Sequence, residues 1–331
     1  MNSLLGQIFK AINEESNDDE LLWFRKHTTL YKVTFRGEGG ADHGGLYNES
    51  VSQMCKEIMS VSLPLFLPSP NSSHDVGSFR EKYVPRYSST LPLHKGLYAF
   101  VGKWMGVALR CDYPLALEFA SPVWKYLVGQ KPNLEDLKNF DVMCFNIIKA
   151  VRNIENNENK ENLEVVVFSC IFAYFWQKEL LSENFTIFTC DGREVELKPN
   201  GKNIPVTWEN KGEWAQLVEE FKLNEFSVQL ESIKQGLSSV MPIKLLSLFT
   251  WSELETMVTG SPTLDLEKLK VFFILCNQYL FSNSKTQIIH PILQLTKLFK
   301  ISGKCLNRLL LKNNPYFYDL HGEDRDCQME K

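Results

Sequence analysis

The chain has 331 residues, room for one large domain or two to three small ones. Hydrophobic residues make up 44% and charged residues 23%, the mix of an ordinary soluble globular protein, and the formal net charge of −4 argues against a dedicated nucleic-acid binder, which normally carries a basic excess. The two most apolar runs, 165–176 and 271–282, are each about 12 residues long, short of the ~20 a membrane helix needs.

Residues 4–12 place Leu4, Leu5, Ile8, Phe9 and Ile12 at helical spacing, and the amphipathic, acidic start lacks the basic-then-apolar order of a secretory signal. The eight cysteines, at 55, 111, 144, 170, 190, 276, 305 and 327, include no C-x-x-C pair, so no zinc ribbon is expected. Cysteines that need not pair fit a reducing compartment, and a cytoplasmic location follows as an expectation. YKVTF puts Tyr31, Val33 and Phe35 on one face of a strand. Five glycines then fall within residues 37–45, and Leu46, Val51, Met54, Cys55, Ile58 and Met59 form a helical stripe.

LPLFLPSPNSSHDVGS (63–78) reads as a loop. Residues 95–110 read as a mostly buried helix on which Gly102 and Gly106 lie four apart, spacing suited to close packing against a neighbour. Ser121 is placed as an N-cap with Pro122 at the first helical position, and NLEDLKNFD opens another helix. The charged, low-complexity run 153–162 reads as an insertion. FTIFTCDGREVEL reads as a hairpin turning at Asp191-Gly192, and KPNGKNIPVT as a second turn and short strand. Residues 211–238 read as helical, followed by two short helices, with Ser252 and Glu255 as a capping box. The fold class is α+β, dominated by helices.

The glycine stretch GEGGADHGG invites a ligand reading that its details exclude. A dinucleotide fingerprint requires a third glycine where Asp42 stands, a P-loop requires a lysine after Gly44, and Glu38 and Asp42 carry the wrong charge for phosphate. Asp42 and His43 fall short of the three or four ligands a metal requires, so no metal or cofactor is expected. What remains is architecture: glycines that permit positive φ and close backbone approach between a strand and a helix.

With its preceding strand, GEGGADHGGL resembles the opening of the HECT ubiquitin-ligase domain, and the resemblance continues in order. LYAFVGKWMGVALR is similar to that family's central F-x-G-x-x-x-G-x-A helix. Asp136, Leu137 and Asp141 match its D-L-x-x-x-D pattern, VELKPNGKNIPVTWEN its L-x-x-N-G-x-x-x-x-V-T-x-x-N, and LLSLFTWSELETMVTGSPTLDLEKLK the segment that closes its N-terminal lobe. The wording is nearest the large HERC subfamily. The resemblance implies a helix-dominated N-lobe with short β-hairpins over residues 1–270, with an insertion at about 154–182, followed by an unmatched tail, 271–331, in place of the family's C-lobe.

In that family the N-lobe recruits a ubiquitin-conjugating enzyme, and a C-lobe cysteine takes ubiquitin as a thioester before passing it to substrate lysines, chemistry suited to a nucleophile that is also a good leaving group. The resemblance implies a conjugating enzyme, ubiquitin and a substrate protein as partners. It places Trp214, Leu217 and Val218 on one wall of the conjugating-enzyme groove and Ile148 and Val151 on the other, while the same stripe also reads as ordinary core. The family's nucleophile stands in T-C-F-N-x-L. Here Cys305 sits in K-C-L-N-R-L, so it is either the acceptor or a plain thiol beside Leu306, Leu309 and Leu310. Two functions remain open: a ubiquitin ligase acting through a cysteine, or an inactive lobe that only binds the conjugating enzyme.

Overall fold

The computed structural model describes residues 3–14, 24–25, 29–35, 45–153, 184–261 and 327–330. It is an α+β fold in which helices dominate and the described strands form three two-stranded antiparallel sheets. The chain divides into two compact units, Met1–Leu63 with Gly96–Leu117 and Ser232–Lys331, and Pro64–Lys95 with Glu118–Glu231.

The first unit opens with α1 (Leu4–Glu14), whose Leu4, Leu5 and Ile8 are buried. Its first amides would be orphaned, and Glu57 receives two of them: Leu4 N donates to Oε1 at 3.1 Å and Leu5 N to Oε2 at 2.9 Å. Glu57 lies on α2 (Gly45–Ile58), which buries Tyr47, Val51, Met54, Cys55 and Ile58 along one stripe. Gly45 begins this helix without positive φ, and a Cβ there would meet nothing within 4 Å. The expectation of a constrained corner therefore does not hold at Gly45, and the other glycines of that run lie outside the described residues.

β1 (Lys32–Phe35) forms as expected, and its partner is β6 (Cys327–Glu330), paired antiparallel from Lys32↔Glu330 to Phe35↔Cys327. Nothing in the sequence reading placed a strand in the tail. α4 (Pro92–Cys111) buries Leu97, Phe100, Val101, Trp104, Met105 and Ala108. The predicted role of its glycines is borne out. A Cβ on Gly102 would lie 2.0 Å from the Ile233 carbonyl oxygen, and one on Gly106 would lie 2.7 Å from Val240 Cβ. Ile233 and Val240 belong to α9 (Ser227–Val240), and on that helix Gly236 faces Ala99 in the same manner.

α10 (Ile243–Leu246) and α11 (Trp251–Thr259) are the two short helices expected after α9. The capping box of α11 is Thr250 with Glu253, not Ser252 with Glu255. Two boxes of the same spacing overlap in this sequence, and the helix takes the earlier one.

In the second unit, the segment read as a loop contains β2 (Phe66–Pro68), paired with β3 (Tyr83–Pro85), and the one-turn helix α3 (Pro70–Ser73). Elements of three and four residues are too short to show periodicity. α5 (Ser121–Leu127) starts one residue earlier than predicted, with Ala120 at the N-cap. Ser121 instead donates to Asp136 Oδ1 at 3.1 Å. Asp136 sits in α6 (Leu134–Phe140) and closes a capping box with Asn133. α7 (Val142–Asn153) follows directly.

The hairpin is β4 (Thr186–Phe188) and β5 (Glu194–Glu196), turning through Gly192 at φ 77°. The strand expected after it is reduced to a single bridge, Asn184↔Pro205, beyond a 3-10 turn at Gly201–Asn203. The long helical stretch breaks into α8 (Lys211–Asn224) and α9, because Glu225 and Phe226 both turn inward and are buried.

Candidate functional site

The predicted binding residues meet in the second unit, where α6, α7 and α8 pack against one another. α7 buries Met143, Cys144, Ile147, Ile148 and Val151, and α8 buries Lys211, Trp214, Ala215, Val218 and Lys222, each a stripe at the 3–4 residue spacing of one helix face. Ile148 and Val218 are fully buried, Val151 is buried, and Trp214 is 4% exposed. Of the five residues, Leu217 alone is half-buried. The structure thus brings both predicted walls onto packed helices and leaves Leu217 as the predicted residue that reaches solvent. Arg152 at the end of α7 pairs with Glu219 of α8.

The first turn of α8 carries further features. Asn210 stands at the N-cap without capping through its side chain, because its Oδ1 accepts from Thr207 N at 2.7 Å and its Nδ2 donates to the Pro205 carbonyl at 3.0 Å. Lys211 is buried with its Nζ 3.5 Å from the centroid of the Trp208 ring. Among the described residues, neither Lys211 Nζ nor Trp214 Nε1 has a hydrogen-bond partner.

Further along α8 lies a buried ionic cluster that the sequence reading missed. Lys222 Nζ is 3.2 Å from Glu225 Oε2 and 3.5 Å from Asp141 Oδ2, with side-chain exposures of 3%, 0% and 1%. Glu225 Oε1 accepts from Cys190 N at 2.6 Å, and its Oε2 lies 3.4 Å from Cys190 Sγ. Asp141 Oδ1 accepts from Cys144 N at 3.0 Å. Burial pulls the Lys222 ammonium down, but its anionic surroundings more than offset this and hold it well above the ordinary lysine value. The Cys190 thiol is itself pushed well up by burial and by Glu225, so the anions facing Lys222 are carboxylates. Burial also raises Glu225, against the lowering effect of Lys222. One signal was legible: Asp141 had been singled out by pattern. Lys222 and Glu225 carry no motif and were not singled out.

Cys55, Cys111, Cys144 and Cys190 all have thiols raised by burial. Burial raises Cys55 to about 12, Cys144 well above its ordinary value, and half-buried Cys111 to a lesser degree. A reactive thiol needs the opposite shift. Cys305 lies outside the described residues. Among the described residues no group of His, Cys, Asp and Glu is arranged to hold a metal, and no helix is long and apolar enough to cross a membrane.

A lobe of packed short helices, small hairpins and an apolar central helix is the class of architecture that the ordered motifs imply, and comparison with known proteins defines it. The family profile described as HECT-domain (ubiquitin-transferase) matches residues 52–307. The chain belongs to the HECT-domain family. The matched span takes in Ile148, Val151, Trp214, Leu217, Val218 and Cys305. Among its relatives, the E3 ubiquitin-protein ligase HERC2 of Mus musculus is 33% identical over 268 residues, 81% of this chain and 5% of that protein. HERC2 of Homo sapiens is 32% identical over the same length, and the probable E3 ubiquitin-protein ligase HECTD4 of Homo sapiens is 32% identical over 251 residues, 73% of this chain and 6% of that protein. The chain therefore spans about a twentieth of the length of the relatives it matches.

Proposed function

We propose that this chain is part of a HECT-type E3 ubiquitin-protein ligase and that its described helices serve the recruitment of a ubiquitin-conjugating enzyme. The observation that carries the reading is the family match across residues 52–307. The α8 edge around Leu217, backed by Trp214, Val218, Ile148 and Val151, is the docking face. Its half-buried leucine over a fully packed base is the arrangement in which an apolar contact adds affinity without disturbing the fold. Ubiquitin and a substrate protein are the further partners of this reading, and the free thiols Cys55, Cys111, Cys144 and Cys190 fit a cytoplasmic setting.

In a complete ligase cycle, ubiquitin would pass from the conjugating enzyme to a cysteine thioester and then to a lysine, with Cys305 as the acceptor. The second reading, recruitment without acceptance, rests on the sequence around Cys305, K-C-L-N-R-L, which lacks the threonine and phenylalanine of the family's T-C-F-N-x-L.

A charging assay separates the two. The chain is incubated with activating enzyme, conjugating enzyme and ubiquitin and run on a non-reducing gel. Recruitment alone gives no thiol-sensitive ubiquitin adduct on the chain, and this is the expected result. An adduct that disappears in Cys305→Ser would make Cys305 the acceptor and overturn the second reading.

A further inference from the structure

The first turn of α8 combines features that work against stability unless something binds there. Lys211 is the first residue of a 14-residue helix, where the partial positive charge of the helix end disfavours a cation. It is 8% exposed, and among the described residues its Nζ has no hydrogen-bond partner and no ion pair, lying 3.5 Å from the centroid of the Trp208 ring. Trp208 precedes the helix, so the lysine side chain is turned toward the N-terminal side, the direction in which helical side chains lean.

One turn on, Trp214 presents a second buried donor, Nε1, also without a partner. Residues three apart share a helix face, so the Lys211 and Trp214 side chains leave the helix on the same side. The helix end itself is open. Asn210 does not cap it, and a Cβ on Gly212 would meet nothing within 4 Å. The nearby acid, Glu213, is turned away into a pair with Lys198 at 2.8 Å. Buried donors normally find partners, and a buried ammonium without a counter-charge is costly.

We propose that the N-terminal turn of α8 is an oxyanion-binding site, in which Lys211 Nζ, Trp214 Nε1 and the uncapped amides of Lys211 and Gly212 receive a single carboxylate or phosphate group. Trp208 acts as a movable cover. It is half-exposed and lies on the segment before the helix, so a rotation of its ring uncovers Nζ while the cation–π contact holds the ammonium in place in the empty state. The anion supplies the charge that both the lysine and the helix end lack. Two sources offer this chemistry: a free phosphate ion, or an acidic side chain on a protein that docks along α8.

The test is a thermal melt of the full chain in inorganic phosphate against sodium chloride of equal ionic strength. The wild type is expected to gain an upward shift of about 1.5 °C at roughly five times the Kd, growing with the logarithm of phosphate concentration. Lys211→Met is expected to lose the shift, and Lys211→Arg to keep it. Should Lys211→Met fail to fold, the wild-type and Lys211→Arg titrations still decide the matter. Absence of a shift in the wild type beyond that in sodium chloride, or an equal shift in Lys211→Met, would overturn the site. The second arm titrates a ubiquitin-conjugating enzyme into the phosphate-bound chain. Displacement of phosphate identifies a protein acidic group as the occupant, and simultaneous binding identifies the free ion. Either result leaves the anion site standing, and neither depends on the chain acting as a ligase.

Discussion

A Cβ on Gly102 would stand 2.0 Å from the carbonyl oxygen of Ile233, so α4 and α9 touch backbone to backbone. The contact is reciprocal, since a Cβ on Gly236 would lie 1.8 Å from the Ala99 carbonyl oxygen. No side-chain rotation relieves either clash, and the helices would have to move apart. Gly102→Ala and Gly236→Ala are each expected to destabilise the chain by about 3 kcal/mol or more, despite the better helix propensity of alanine. Gly45→Ala and Gly212→Ala enter open space and are expected to be neutral within ~0.5 kcal/mol. Urea midpoints of the four variants check the contrast, and equal midpoints would contradict the packing.

Lys222 is the counter-ion of two buried carboxylates, so its loss strands both. Lys222→Met is expected to cost about 3–5 kcal/mol, although the new side chain fills much the same volume. Adding Glu225→Gln removes one stranded charge and should restore part of that loss. A double-mutant cycle by urea denaturation reads the coupling between the two positions. Additive effects would mean the pair seen at 3.2 Å contributes nothing.

Stability should fall in alkali. The Cys55 thiol has its folded-state pKa raised to about 12 by burial, against an ordinary value of 9.0. Below pH 9 both states hold the proton and the contribution is fully present. Above it the unfolded thiol ionises while the folded one does not, and stability is lost up to about pH 12 at a slope of at most ~1.4 kcal/mol per pH unit. Cys144, Cys190 and Lys222, all raised, act in the same direction. Urea midpoints at pH 8 and pH 10 should show the fall, and Cys55→Ala should lessen it. An unchanged midpoint between the two would contradict the burial of these groups.

Much of the fold was legible because its long elements carry strong periodic signals. The α4 stripe, the Asp191-Gly192 turn and the spacing of Gly102 and Gly106 each encode one local geometry, and each appears as read. The misses have physical causes. β2 and α3 are too short to show a period, Ser121 was recruited by Asp136 rather than by its own helix, and the β1 partner comes from the far end of the chain.

At the candidate site, the sequence named the right helices but could not tell a buried indole from an exposed one, since Trp214 and Leu217 obey the same periodicity. The Lys222 cluster joins residues from the α6–α7 junction, α8, the segment after α8 and the β4–β5 turn. Such a union is visible only once the chain has folded.

The docking face gives the most direct test. Trp214→Ala confounds it, since truncating a buried tryptophan costs roughly 3–5 kcal/mol of stability whatever the residue binds. Leu217→Asp changes a half-buried position and is expected to melt near the wild type. The decisive measurement is calorimetric titration of a ubiquitin-conjugating enzyme into the full chain and into Leu217→Asp. The account predicts saturable binding by the wild type and at least a roughly tenfold weaker Kd for the variant, a loss of about 1.4 kcal/mol, with matching melting curves. Absence of binding across a panel of conjugating enzymes, or equal affinity in the variant, would contradict it.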